Sequence, residues 1–502
     1  MRSKNAKLNI LTNLILNLVV IIYGFIVPKI IINNFGSSVN GLVSSITQFL
    51  AYITLLESGF GPIVKSILYK PIAENDKSKI CSILKSTEKF FKRISYIFII
   101  YIIILCFMFP LFINNTFKAF YTASLILIIS ISVFAEYFFG MTYRLYLQAD
   151  QKTYIISIIQ IFTYILSIIA ILVLAHLGCS IHILKFISAL IFVLRPILQN
   201  IYVRMHYKID FNNYDEKYVI KNKWDGLAQH VASVIHDNTD ITVLTIFCNL
   251  LEVSVYSVYY LVVKGLKSLI QSFAGGIDSI FGDMIAKKEN NNLRKKFSMY
   301  EIGYFTICTI LFSSAMLLIV PFVSIYTKGV TDVNYVRPLF GYLIVISEFI
   351  WAIRLPYISI TYAAGHFKET RLGAWVECIC NIIISMLLVS KYGIVGVAIG
   401  TIIAMAIRTT EFVIHSNKYI LNRSIFASIK IIALLIIETL FSVIICNIIQ
   451  NFEIVGILSW ILNAIITVTI SSIVTILINY IFYRKQINDL FKIIINRRKK
   501  HE

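Results

Sequence analysis

The stretch Leu55–Lys70, LLESGFGPIVKSILYK, decides how the chain is read. It lies in an apolar run spanning residues 38–68, yet it carries Glu57, Lys65, Gly59, Gly61 and Pro62. An ionised side chain near the bilayer centre costs about 2.5 to 3.5 kcal/mol on insertion scales, while a Leu or Ile gains only about 0.5. A run fit for lipid that keeps a carboxylate and an ammonium group must turn them toward protein or water. Gly59, Gly61 and Pro62 interrupt the run midway and free backbone groups that need the same surroundings. The expectation is a broken membrane helix with Glu57 and Lys65 on either side of the break, facing a shared interior. A proline kink with one ion pair between them is the competing reading.

The rest of the chain is of the same kind. Of its 502 residues, 58% are hydrophobic and 14% charged, and the mean hydropathy is +0.80. Soluble domains carry about 25% charged residues. Windows of about 20 apolar residues give about 14 candidate spans. They are 8–32, 38–68, 92–113, 119–147, 154–176, 181–203, 222–247, 252–285, 298–325, 336–362, 370–390, 393–415, 424–449 and 455–483. The seventh, KWDGLAQHVASVIHDNTDITVLTIF, is too polar to stand out by hydropathy.

About 32 of the 46 Lys and Arg residues fall in the two tails and every second loop, and about 5 lie near the alternate loops. Cytoplasmic loops gather basic residues, so both ends are expected in the cytoplasm and the span count is even. Basic loops at an anionic membrane surface also account for the net charge of +20. Nucleic acid is not an expected partner, because the charge forms no compact soluble domain. The first span runs on to Pro28 without a cleavage site, so no cleaved leader is expected. Eight cysteines show no metal-ligand spacing and are assigned to packing. No large soluble insertion is present, which argues against a catalytic domain, and no Gly-rich phosphate loop, so an ATP-driven pump would need a separate subunit. The longest loops, from Lys70 to Phe91 and from Arg204 to Lys221, are read as amphipathic surface helices.

An internal repeat offset by about 215 residues organises the spans, in the manner of transporters with duplicated halves. YLQADQKTYIISI (146–158) lies over TYAAGHFKETRLG (361–373), LAHLG (174–178) over VSKYG (389–393), and YKPIAENDKSKI (69–80) over GDMIAKKENNNL (282–293). Arg195 falls near Arg408. Six spans per half give both halves the same orientation, related by an axis along the membrane normal. The expected fold is an all-α polytopic membrane protein of two pseudo-symmetric six-helix lobes plus two further helices. Its parts are an N-lobe (1–217), a C-lobe (218–422), an added pair (423–483) and a basic cytoplasmic tail (484–502).

Nine basic residues remain inside spans: Lys65, Arg144, Lys185, Arg195, Lys264, Lys267, Arg354, Arg408 and Lys430. Arg144, Lys185 and Lys430 lie near span ends, where long side chains snorkel. At about 100° per residue, Lys264, Lys267, Gln271 and Asp278 share one stripe of the eighth span. Asp225, Gln229, Ser233, His236, Asp237 and Asp240 fall within about 120° of one another on the seventh. Such faces suit the wall of an aqueous cavity, with a structural network between lobes as the competing reading. A cationic interior suits an anionic substrate, lysine as a point charge and arginine as a bidentate clamp. Tyr256, Tyr259 and Tyr260 offer flat surfaces for sugar rings, or serve as ordinary interfacial tyrosines.

Three segments carry a family resemblance: NNFGSSVNGLVSSITQFLAYITLLESGFGPIVKSILYKPIAEND (33–76), LQADQKTY (147–154) and NTDITVLTIFCNLLEVSVYSVYYLV (238–262). In their order and spacing the chain resembles the Wzx-type polysaccharide flippases. These belong to the MOP exporter superfamily, with the multidrug MATE exporters and the MurJ-type lipid II flippases. The resemblance covers nearly the whole chain. It implies a flippase, not an enzyme, whose two lobes alternate around a central cationic cavity in the bacterial cytoplasmic membrane. The implied substrate is an oligosaccharide repeat unit linked by pyrophosphate to undecaprenol, destined for O-antigen- or capsule-type polysaccharide.

Carried over by position, Lys65, Lys264, Lys267 and Arg354 would bind the pyrophosphate. Asn13, Asn17, Glu57, Gln229, His236, Gln271 and Asp278 would line the cavity. Asp237, Asp240 and Glu57 are the candidates for coupling to H+ or Na+, with no other cofactor and no resident metal. The implied partners are membrane lipid, a polysaccharide polymerase and its chain-length machinery, and a monomer suffices. The first span, with Asn13 and Asn17, lacks the basic residue that lipid II flippases place there. A MATE-like ion-coupled multidrug exporter is the alternative on the same fold. A polymerase or acyltransferase would need a large outer loop or a His-centred motif, neither of which is seen.

Overall fold

The computed structural model describes residues 2–57, 59–113, 116–207, 227–274, 277–449, 454 and 456–498. Among the described residues the chain is helical and no strand occurs. Its first helices are α1 (Arg2–Phe35), α2 (Ser37–Ala51), α3 (Phe60–Glu74), α4 (Lys77–Phe112), α5 (Ala119–Ala135), α6 (Met141–Ala149), α7 (Thr153–His176) and α8 (Ile181–Tyr207). They are followed by α9 (Leu227–Phe247), α10 (Leu250–Ala274), α11 (Ile277–Ala286), α12 (Asn290–Tyr326), α13 (Pro338–Ala363), α14 (Arg371–His415), α15 (Ile425–Ile449) and α16 (Ile457–Arg498).

The break expected in the second span is present. After α2 the chain tightens into a 3-10 turn over Tyr52–Leu56, Gly59 takes a left-handed backbone with φ 74°, and α3 begins at Phe60. A glycine is the residue that enters that region without a Cβ penalty. Pro62 falls in the first turn of α3, where its missing N–H costs no intrahelical bond.

Among the described residues, twelve helices are long and apolar enough to cross a membrane. One of them, α14, is a hairpin: Gly393, at φ 55° and ψ −133°, turns the chain between two arms. Asn381 Nδ2 donates to Thr401 Oγ1 across the arms at 3.1 Å. Counting the arms separately and adding the polar α9 (21 residues) gives fourteen helices of crossing length among the described residues. The loop expected as a surface helix over Lys70–Phe91 is different. Asp76 caps α4 by accepting from the Lys79 N–H at 3.0 Å, and the helix then runs unbroken to Phe112. The other such loop lies largely outside the described residues.

The chain divides into two compact units, Met1–Ser254 and Val255–Glu502. In the first, α7 packs on α1 and α8, and α5 on α4 and α8. Leu42, Ile46, Val64, Leu68, Ile83, Phe98 and Leu125 are fully buried there. The outer face of α4, with Ile100, Ile103 and Phe107, stays exposed, as a lipid-facing stripe must. In the second unit α12 packs on α13, α15 and α16, and α13 packs on α14. Compactness places α9 with the first unit, although its position in the sequence repeat belongs to the second half.

The duplication is visible in backbone geometry. Left-handed residues recur in pairs 213 to 215 residues apart: Asn75 with Lys288, Gln151 with Gly365, and Gly178 with Gly393. The first two pairs close helices with the same double bond. Gln151 and Lys152 N–H reach Gln148 O and Leu147 O, as Gly365 and His366 N–H reach Tyr362 O and Thr361 O. This is the Schellman arrangement, which satisfies carbonyls that a helix end leaves free. Cross-helix bonds repeat too. Arg195 Nε donates to Thr163 Oγ1 at 2.8 Å and Ser167 Oγ meets Ser188 Oγ at 2.8 Å within α7–α8. In the α14 hairpin Arg408 Nε lies 3.7 Å from Glu377 Oε2, and Asn381 meets Thr401.

Candidate functional site

In the first unit the polar residues gather at the break. Glu57 is half-buried beside Tyr137, whose hydroxyl lies 3.5 Å from Oε2. Next to them Arg144 Nη1 pairs with Glu136 Oε1 at 3.3 Å. Eight residues apart, these two would diverge on a regular α-helix. The π-turn over Glu136–Gly140 absorbs one residue and returns them to one face. Lys65 is half-buried on α3 and makes no ion pair among the described residues. Glu57 and Lys65 therefore do not form the ion pair that a simple kink would have offered. On α1, Asn13 is exposed and Asn17 half-buried.

The helix α9 is seated by one face and presents the other. Tyr52 and Thr242 meet at 2.9 Å, Ser45 and Thr245 at 2.7 Å, and Gln48 bonds the side chain of Asn238. His230 Nε2 lies 2.8 Å from Thr54 O. Asn238, Thr242 and Thr245 thus form the docking stripe toward α2. His236, Asp237 and Asp240 are centred about 160° to 260° away around the helix, on the opposite side. Asp237 is exposed, and His236 and Asp240 are half-buried. Asp225 and the side chains of Gln229, Ser233 and Asp278 lie outside the described residues. Replacing Asn238 with alanine is expected to cost about 1 kcal/mol, the usual scale for interhelical polar contacts in membranes. Unfolding in mild detergent checks it, with an unchanged midpoint counting against the docking role.

In the second unit the basic residues have different surroundings. Lys264 and Gln271 are exposed on α10. Lys267 Nζ lies 3.8 Å from Glu348 Oε2 and 4.6 Å from the Trp351 ring centre. Arg354, expected to clamp a phosphate, is instead 6% exposed and donates to Glu377 Oε1 at 2.6 Å. The same carboxylate faces Arg408, which also bonds Glu411 and Thr370 O. Arg354 is thus a member of a buried ionic network between α13 and α14, its charge already met by a carboxylate. Sequence reading missed Glu348 and Trp351, although a carboxylate inside an apolar span is the anomaly that singled out Lys65. It also missed Asn9, which holds the turn before α7 through Gln151 O (2.9 Å) and the Tyr154 N–H (2.7 Å). Among the described residues no group of three or more His, Cys, Asp or Glu is placed to hold a metal.

No protein-family model and no curated protein matches the chain. Solved structures do. The lipid II flippase MurJ in an inward closed conformation superposes with a TM-score of 0.69 at 16% identity, covering 96% of this chain and 99% of that one. An inward-facing multidrug resistance MATE family transporter of the MOP superfamily gives 0.61 at 13% identity, covering 81% and 95%. The bent form of the Vibrio cholerae MATE transporter VcmN gives 0.53 at 13% identity, covering 83% and 97%. At these identities the likeness is one of fold: the chain is a multi-pass helical membrane protein of MurJ- and MATE-like architecture.

Proposed function

We propose that this protein is a flippase that carries undecaprenyl-pyrophosphate-linked oligosaccharide repeat units across the cytoplasmic membrane for surface polysaccharide synthesis. The observation that supports this most is Lys65, a half-buried ammonium group just past a broken helix with no ion pair among the described residues. A cation held at that depth without a fixed counter-charge suits a substrate that brings its own negative charge and leaves with it. Lys264, exposed on α10, is the second contact for the pyrophosphate. Lys267 steadies the same stripe through Glu348 and Trp351. His236, Asp237, Asp240, Asn13 and Asn17 supply polar walls for the sugars, and Asp237, Asp240 and Glu57 take the H+ or Na+ that resets the cycle. Transport proceeds by alternating access, each ligand drawing the population toward the state it binds better. The likeness in fold to a protein named as a lipid II flippase agrees with a lipid-linked substrate. A small-molecule exporter shares the fold, but lumenal lysines suit cationic cargo poorly.

Cells lacking the protein are expected to accumulate lipid-linked oligosaccharide on the cytoplasmic leaflet. Wild type should reverse this, and a Lys65→Ala, Lys264→Ala double variant of unchanged abundance should not. Lys267 is left in place, since removing it strands Glu348 without its cation. Normal polymer output from the double variant would sink the lysine assignment. Sensitivity to cationic drugs without accumulation would move the protein to the exporter reading.

A further inference from the structure

The added helices α15 and α16 lie antiparallel in a fixed register. Asn479 Nδ2 donates to Glu438 Oε2 at 3.1 Å, and two turns on Cys446 Sγ lies 3.7 Å from Ser471 Oγ. Ser442 and Thr475 fall halfway between these pairs, facing each other. Helix α12 runs alongside: Thr309 Oγ1 lies 3.5 Å from Glu438 Oε2, and Ser313 donates to Ser471 at 3.1 Å. Within about one helical turn of one another, Glu438 Oε1, Ser442 Oγ and Thr475 Oγ1 are all buried and have no hydrogen-bond partner. Glu438 is 2% exposed, and Ser442 and Thr475 are 0%.

Orphaned serine and threonine hydroxyls are unusual among the described residues. Hydroxyls in membrane helices ordinarily return to the carbonyl four residues back, as Thr439 does to Leu435 O and Thr467 to Asn463 O. The Ser442 and Thr475 hydroxyls make no such bond. Nor does Glu438 take part in an ion pair among the described residues. Of the charged groups along the packed helices, Glu301 of α12 is paired with Arg423, and Lys430 of α15 and Arg484 of α16 are exposed. A buried carboxylate without a counter-charge is costly, and buried hydroxyl oxygens without partners add to that cost.

We propose that Glu438, Ser442 and Thr475, backed by Thr309, form a binding site for a single monovalent cation of sodium's type between α12, α15 and α16. The donors are all oxygen, which selects a hard cation. One carboxylate balances one positive charge, so a divalent ion would be left unneutralised at this depth. Neither sulfur nor imidazole takes part, which excludes the softer transition metals. The ion ties the added helix pair to α12 and is separate from the candidate coupling residues Glu57, Asp237 and Asp240.

The test is the thermal midpoint of the purified full-length protein in NaCl, KCl or choline chloride at equal ionic strength. The expected result is a saturable rise with Na+ that choline does not reproduce. Glu438→Gln, which keeps shape and hydrogen bonding, should abolish the Na+-dependent part. Ser442→Ala or Thr475→Val should weaken the apparent affinity about tenfold, as loss of one neutral ligand would. If Glu438→Gln does not fold, the two hydroxyl variants decide alone, because an unchanged Na+ response in both would overturn the site. Stabilisation by acid with no Na+ preference would give the carboxyl a proton instead, and no response to either would leave a buried water; each result rejects the proposal.

Discussion

Glu377→Ala is expected to destabilise the protein by about 3 to 5 kcal/mol, enough to remove most folded material from the membrane. Glu377 is the carboxylate common to Arg354 and Arg408, which are 6% and 2% exposed. Neither guanidinium can shed its charge, since arginine stays protonated in proteins. Arg408 keeps Glu411 and the Thr370 carbonyl, but Arg354 has no second carboxylate partner among the described residues. Glu377→Gln should cost less, because the amide oxygen still accepts from Arg354. A double variant with Arg354→Met should recover much of the loss by removing the stranded charge. Thermal midpoint and monodisperse yield in detergent read all three, and a Glu377→Ala protein as stable as wild type would mean that the network carries little.

Gly41→Val is expected to be as damaging for a steric reason. A Cβ built on Gly41 would lie 1.8 Å from Leu250 O and 2.7 Å from Leu250 C. These are backbone atoms at the start of α10, so no rotamer change relieves the clash, and α2 must move away. The displacement would also pull Asn40 from Ser254, whose side chains meet at 2.8 Å. Overpacking ordinarily costs about 1 to 3 kcal/mol, and a clash with backbone belongs above that range. Gly41→Ala should already show most of the same loss, because the clashing atom is the Cβ itself. Stability within a few tenths of a kcal/mol of wild type in Gly41→Ala would show that the helices part freely there.

How much of this was legible beforehand depends on whether a feature lives within one helix or between two. The break at Gly59 is local: glycine and proline in an apolar run act on their own backbone, and the structure places the break there. The repeat was legible because helix-ending turns recur at a nearly constant offset, and Asn75, Gln151 and Gly178 have left-handed counterparts in the second half. Partnering was not legible. Lys267 and Glu348 lie on different helices, and no periodicity relates them. Arg354 looked like a substrate ligand for the same reason, its carboxylate being on the next span. On α9 the ionisable stripe drew the eye, while the helix is seated by Asn238, Thr242 and Thr245, whose small polar groups sit comfortably in an otherwise apolar face.

The hairpins α7–α8 and the two arms of α14 bear on how such a chain enters the bilayer during synthesis. Arg195 finds its acceptor, Thr163, 32 residues earlier in the chain, and Arg408 meets Glu377 across the equivalent hairpin. In both cases the helix bearing the partner is made first, so the arginine emerges when its acceptor is already waiting. Each hairpin can then partition into lipid as a pair of helices with the guanidinium turned inward, avoiding the penalty of inserting it on a lone helix. Spacing between the arms, as much as their hydrophobicity, thus governs whether the translocation machinery retains these segments.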